Sequence, residues 1–209
     1  MKIINNHMLI LDNQGSIIVD SKSKNYRISF IMKIREPHDG WAHLLEHFII
    51  NMIESEEYFN KSLFIEGKTD YVSIEIIIGK IDVFEDLLFI IQSFFFTLGI
   101  INNSELYERK VAIRTNMCFI ESKKEVLKEI EKKFLSNKRQ LKINEVLISQ
   151  KLDELPIGSS NSIRSCSLKK IKKYFQLNIV DIFYIGIVKD VLESKKIQEK
   201  ITRLYSGKY

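Results

Sequence analysis

The stretch HDGWAHLLEH, residues 38–47, places two of the chain's four histidines, His43 and His47, four residues apart, with Glu46 beside the second. An apolar run, FIINMI, follows it, and Asp39 stands where a helix cap belongs, so the pattern predicts a helix that begins near Trp41. On a helix, positions i and i+4 lie one turn apart on the same face, which lets both imidazoles aim at a single ion. Glu46 is one position from His47 and three from His43, so its carboxylate falls beside such an ion, within reach of a metal-bound water. Metal-assisted amide hydrolysis uses such a set: a cation to acidify water and polarise the carbonyl, and a carboxylate to take the proton and return it to the leaving amine. An ordinary helix can carry the same letters by chance, so the rest of the sequence has to decide.

The chain has 209 residues, 45% of them apolar, enough for a sizeable core. Two prolines and eight glycines are scattered without a linker-like cluster, which favours one continuous domain over residues 1–209. The amino-terminal segment alternates like strands and lacks the pattern of a secretory signal, so a cytoplasmic location is expected. The most apolar region, Leu87–Ile101, is shorter than the ~20 residues needed to span a bilayer and reads as a buried helix. Cys118 and Cys166 are isolated and suit free thiols. The net charge of +5 concentrates late in the chain, notably in SLKKIKKYF. There Leu168, Ile171, Tyr174 and Phe175 recur at helical spacing with lysines between them, the pattern of a solvated surface helix. Binding of an anionic partner through Lys169–Lys173 is a lesser alternative, and no nucleic-acid motif accompanies the lysines.

Met8–Leu11 and Ile17–Val19 flank DNQG and predict a hairpin; Tyr26–Ile34 alternates and predicts a third strand. After the histidine helix, Tyr71–Ile78 is rich in β-branched residues and predicts a further strand. Helices are expected over Asp82–Leu98, from Glu105 to about Leu135 with Asn103 or Ser104 as cap, and over Ile143–Leu152. The basic helix, a strand at Ile179–Val188 and a helix near Leu192–Leu204 close the chain. Strands first, helices in the middle and one late strand define an α+β fold: a mixed sheet with helices packed on one face.

HxxEH is the inverted zinc motif of the pitrilysin family, which includes insulin-degrading enzyme and the mitochondrial processing peptidase, and this chain resembles that family well beyond the motif. LDNQGSIIVDSKSKNYRISFIMKI is similar to the family's opening hairpin and third strand, and GWAHLLEH to its entry into the metal helix. IEGKTDYVSIEI is similar, in altered form, to the segment that begins its next strand. IDVFEDLLFIIQSFFF and ELYERKVAIR are similar to the two following helices. LPIGSSNSIRSCSLKKIKKYF with IVDIFYIGIVKDVLESKKIQEKI is similar to the closing loop, helix, strand and helix.

The resemblance implies a zinc metalloendopeptidase with His43 and His47 as ligands and Glu46 as general base. In the family a second glutamate, seven residues after a Glu-Arg pair, completes the zinc site. Glu108-Arg109 matches the pair, but the seventh position onward is Thr115, whose hydroxyl is a poor zinc ligand. Glu108 is therefore the candidate third ligand, with Glu121 or Glu125 reachable through a changed register, or a ligand from a partner chain. Family subunits also carry two such domains in tandem, so a second related chain in a heterodimer, or a homo-oligomer, is implied. The substrate would be a peptide, such as a precursor, lying extended along a sheet edge at Thr69–Ile74 and touching Thr69, Asp70, Tyr71, Val72 and Ser73. No nucleic acid or membrane partner is expected. The alternative is a non-catalytic peptide-binding or scaffold subunit with a degenerate zinc site.

Overall fold

The computed structural model describes residues 2–4, 7–11, 15–36, 38–55, 63–102, 109–140 and 158–206. Strands β1 (Lys2–Ile4), β2 (His7–Leu11), β3 (Gly15–Val19) and β4 (Tyr26–Ile34) precede helix α1 (Trp41–Glu54). Then come β5 (Phe64–Thr69), β6 (Ser73–Ile81), α2 (Phe84–Asn102) and α3 (Arg109–Gln140). The chain continues through α4 (Ser160–Ser165), α5 (Leu168–Asn178), β7 (Ile179–Val188) and α6 (Val191–Ser206).

These strands form one seven-stranded sheet in the order β1-β2-β3-β7-β4-β6-β5. β7 returns from the end of the chain to lie parallel to β3 and antiparallel to β4; the other neighbours are antiparallel. Alternation within the strands fixes which face is covered. Ile28, Phe30 and Met32 of β4 and Ile74, Ile76 and Ile78 of β6 share the inner face and are fully buried. On the other face Phe183 and Ile185 of β7 remain exposed. Helix α1 lies on β5 and β6, α2 on β4 and β6, and α6 on β3 and β7. Phe30 stacks on Phe94 of α2 with ring centroids 3.8 Å apart, at the centre of the core. The architecture is the expected α+β sheet with helices on one face.

Two local readings are corrected. Asp39 does not cap α1: the residue before the helix is Gly40, at φ 76°, with no side-chain cap, and the Asp39 carboxylate instead accepts from the Ser159 backbone N–H and hydroxyl, both at 2.9 Å. The start of α1 is thereby tied to the cap of α4, 120 residues away. The strand predicted at Tyr71–Ile78 is one arm of a hairpin. Its partner β5 was not anticipated, and Asp70–Val72 form the turn between them, closed by bonds from the Val72 and Ser73 backbone N–H groups to Asp70 at 2.8 and 2.7 Å. The sheet edge is accordingly Phe64–Thr69 rather than Thr69–Ile74, and Ser73 begins the strand inside it. The DNQG turn, the Asn103 or Ser104 cap and the Ile143–Leu152 helix lie wholly or partly outside the described residues.

Candidate metal centre

The polar stripe of α1 is set by its apolar spacing. Leu44, Leu45, Phe48, Ile49, Met52 and Ile53 point into the core, which leaves His43, His47 and Asn51, at intervals of four, to face α3. Phe119 of α3 meets Phe48 edge-on at 5.7 Å and fixes the pairing of the two helices. They run antiparallel, so each turn back along α1 is a turn forward along α3. Asn51 donates to Ser122 Oγ at 2.9 Å, His47 Nδ1 meets Glu125 at 3.1 Å, and His43 Nε2 meets Glu129 at 3.0 Å.

Glu129 also reaches the second imidazole, with His47 Nε2 3.3 Å from its other carboxylate oxygen. The two Nε2 atoms therefore converge on one carboxylate, and the rings sit edge to face with centroids 4.8 Å apart. Glu46, 4% exposed, lies on the opposite side, its carboxylate 3.5 Å from His43 Nδ1. One ligand atom each from His43, Glu46 and His47 falls within 4.8 Å of the others, and Glu129 borders the same group with its oxygens 3.0 and 3.3 Å from the two imidazoles. Burial works to lower the His43 pKa, but the carboxylates of Glu46 and Glu129 outweigh it and hold the imidazole above its ordinary value. Glu54, at the end of the same stripe, is shifted up by burial and then by Glu125.

A cleft of about 500 Å³ opens over these groups between α1, α3 and Gly67 of β5. An adjoining cavity of about 570 Å³, between the end of α1 and the start of α3, is lined by Ile113, Met117 and Cys118 and carries no imidazole, so the titratable cluster belongs to the smaller cleft.

Of the expected site residues, His43, Glu46 and His47 are gathered in the cleft. Glu108 lies outside the described residues. Thr115 is buried on α3 with its hydroxyl donating to Val111 O at 2.7 Å, and it stands ten residues before Glu125, ~15 Å along the helix. Its identity has no bearing on the histidines. Glu125, reached through a changed register, and Glu129, which was not anticipated, are the acids that α3 brings to the imidazoles. Thr69 turns its hydroxyl to Glu46, while Tyr71 and Val72 are exposed at the hairpin tip.

The residues present suit a divalent cation of the zinc type. Two imidazoles and a carboxylate are a catalytic zinc donor set, and here both ring nitrogens and both oxygens of Glu129 already point at one another.

No family model matches the chain, and no curated protein matches it. Solved structures do. One is a protease from Helicobacter pylori, with TM-score 0.60 and 15% identity over 96% of this chain and 50% of that one. Another is the periplasmic protease PqqL from Escherichia coli, with TM-score 0.63 and 14% identity over 99% of this chain and 24% of that one. A third is a peptidase M16 inactive domain from Pseudomonas fluorescens, with TM-score 0.61 and 10% identity over 96% of this chain and 50% of that one. At these identities the likeness is one of fold: the chain has the fold of an M16-like peptidase domain. It spans about half the length of two of these neighbours and about a quarter of the third. No described helix is long and apolar enough to cross a membrane.

Proposed function

We propose that the chain is a zinc-dependent peptidase subunit of the pitrilysin type that hydrolyses peptides. The observation that carries the reading is the convergence of His43 Nε2 and His47 Nε2 on Glu129, with Glu46 beside them. In this reading His43, His47 and Glu129 hold zinc, and Glu129 takes the ligand role expected of Glu108. Bound zinc supplies Lewis acidity, lowering the pKa of water and polarising the scissile carbonyl. Glu46 accepts the proton of the attacking water and gives it to the leaving amine. Glu125 accepts from His47 Nδ1 and so directs the lone pair of Nε2 into the cleft. Among the described strands β5 is at the edge of the sheet, beside the cleft, and its outer side can pair with an extended peptide.

A partner belongs to the proposal. The M16 neighbours continue for at least another length of this chain, and a related second chain, or a second copy, would supply the matching half. A precursor peptide processed in the cytoplasm is the substrate this reading favours.

The test is metal analysis and peptide cleavage by the purified chain, alone and with any protein that copurifies. Bound zinc, cleavage lost to chelator, and cleavage lost in Glu46→Gln with zinc retained are expected. Cleavage that survives both chelator and Glu46→Gln would remove the mechanism.

A further inference from the structure

Thr69 and Gly67 sit two residues apart on β5, so both point to the same face of the sheet, toward α1. What they meet there is Glu46. The Thr69 hydroxyl donates to Glu46 Oε2, and the other oxygen, Oε1, packs against Gly67 so closely that a Cβ at that position would overlap it. His43 Nδ1 lies 3.5 Å from the same Oε2. A carboxylate that is 4% exposed needs a donor, because a buried ionised group without one is strongly destabilising. Thr69 supplies the short hydrogen bond, and His43 Nδ1 the longer polar contact to the same oxygen.

We infer that the Gly67-x-Thr69 segment of the edge strand is a latch that positions Glu46, and that Thr69 is a positioning residue rather than a contact for substrate. The inference rests on the proposed role of Glu46 as general base. A free glutamate side chain samples several rotamers, and a base that has to wait for the right one is slow. The latch removes that freedom: the hydroxyl holds one oxygen, and the missing side chain at Gly67 gives the other a place to lie. The strand that offers its outer edge to a peptide then fixes the proton acceptor with its inner face, so the two sides of one strand serve the same bond.

A threonine that touches substrate and one that holds the base behave differently when the hydroxyl is removed. Thr69→Val, nearly isosteric, is expected to lower kcat by ~10-fold or more with KM within about twofold of wild type and zinc content unchanged, while Thr69→Ser restores kcat. A rise in KM at constant kcat, or no change in either, would overturn the assignment. A second readout needs no turnover. In the unfolding cycle of Thr69→Val, Glu46→Ala and the double variant, the shifts in denaturation midpoint are expected to be non-additive; additive shifts would overturn the latch. If the wild-type protein neither binds zinc nor cleaves peptide, the peptidase reading fails on its own while the cycle still decides the contact.

Discussion

His47 presents its Nδ1 to Glu125 at 3.1 Å, and Asn51, one turn further along α1, donates to the same carboxylate oxygen at 2.9 Å. Asn51 is itself held by Ser122, whose hydroxyl donates to Cys118 O at 2.6 Å. The chain of bonds runs from the backbone of α3 to one imidazole and sets the orientation of its ring. A metal-binding histidine is usually held this way, by an acceptor on the nitrogen that does not bind. Glu125→Gln is therefore expected to weaken zinc binding ~10- to 100-fold without abolishing it, as measured by competition with a chromophoric chelator. Unchanged affinity would show that the ring is held by other means.

Glu129 has a different role, since its carboxylate faces Nε2 of both rings. Glu129→Gln removes the anionic donor and is expected to cost more affinity than Glu125→Gln. The reverse order would assign the third ligand to Glu125.

Cys166 caps the end of α4 in the link to α5, 2% exposed, and burial pushes its thiol up to about 11, against the smaller opposing influence of Lys123 and Lys170. At neutral pH the group is a protonated, unreactive thiol. A folded-state pKa above the unfolded one means that the native state holds its proton longer. The stability it contributes is complete below the unfolded value of ~8.5 and is lost as pH rises from there through about 11. Chemical denaturation across this range is expected to show falling stability, with a shallower fall in Cys166→Ala. An aromatic disulfide reagent is expected to label the native protein slowly at pH 8; rapid labelling would contradict the burial.

Phe30 joins the sheet to α2, fully buried and stacked on Phe94. Phe30→Ala should cost ~3–5 kcal/mol in urea denaturation, as expected for a large core aromatic. A loss under ~1 kcal/mol would mean that the sheet and α2 do not depend on this contact.

Much of this architecture is written in local pattern. The strands at Tyr26–Ile34 and Ile179–Val188 and the helix from Trp41 have bounds that periodicity defines, because each buries one regular face. His43, Glu46 and His47 were legible for the same reason: their geometry is set within a single turn of one helix. β5 was not, since FIEGKT carries a glycine and two charged residues and becomes a strand only by pairing with β6. Its glycine is better understood from Glu46, which lies against it. Of the acids of α3, Glu125 was legible only as an alternative and Glu129 not at all, because their partners are about 80 residues away and the antiparallel crossing of two helices decides the register. Anchoring that register on Glu108-Arg109 pointed to Thr115, when the signal was the pair Glu125 and Glu129, spaced four apart like the histidines they meet. Asp39 misled in the same way: its partner is Ser159, in a distant part of the chain, and not the helix it precedes.

In the proposed site, two imidazoles and a carboxylate from crossing helices hold one divalent ion beside Glu46. Zinc titration of the metal-stripped protein against a competing chelator tests it most directly. One equivalent is expected to bind to the wild type, to be retained in Glu46→Gln and to be lost in His43→Ala, His47→Ala and Glu129→Gln variants that still fold. A wild type that binds no zinc, or binding indifferent to both histidines, would contradict it.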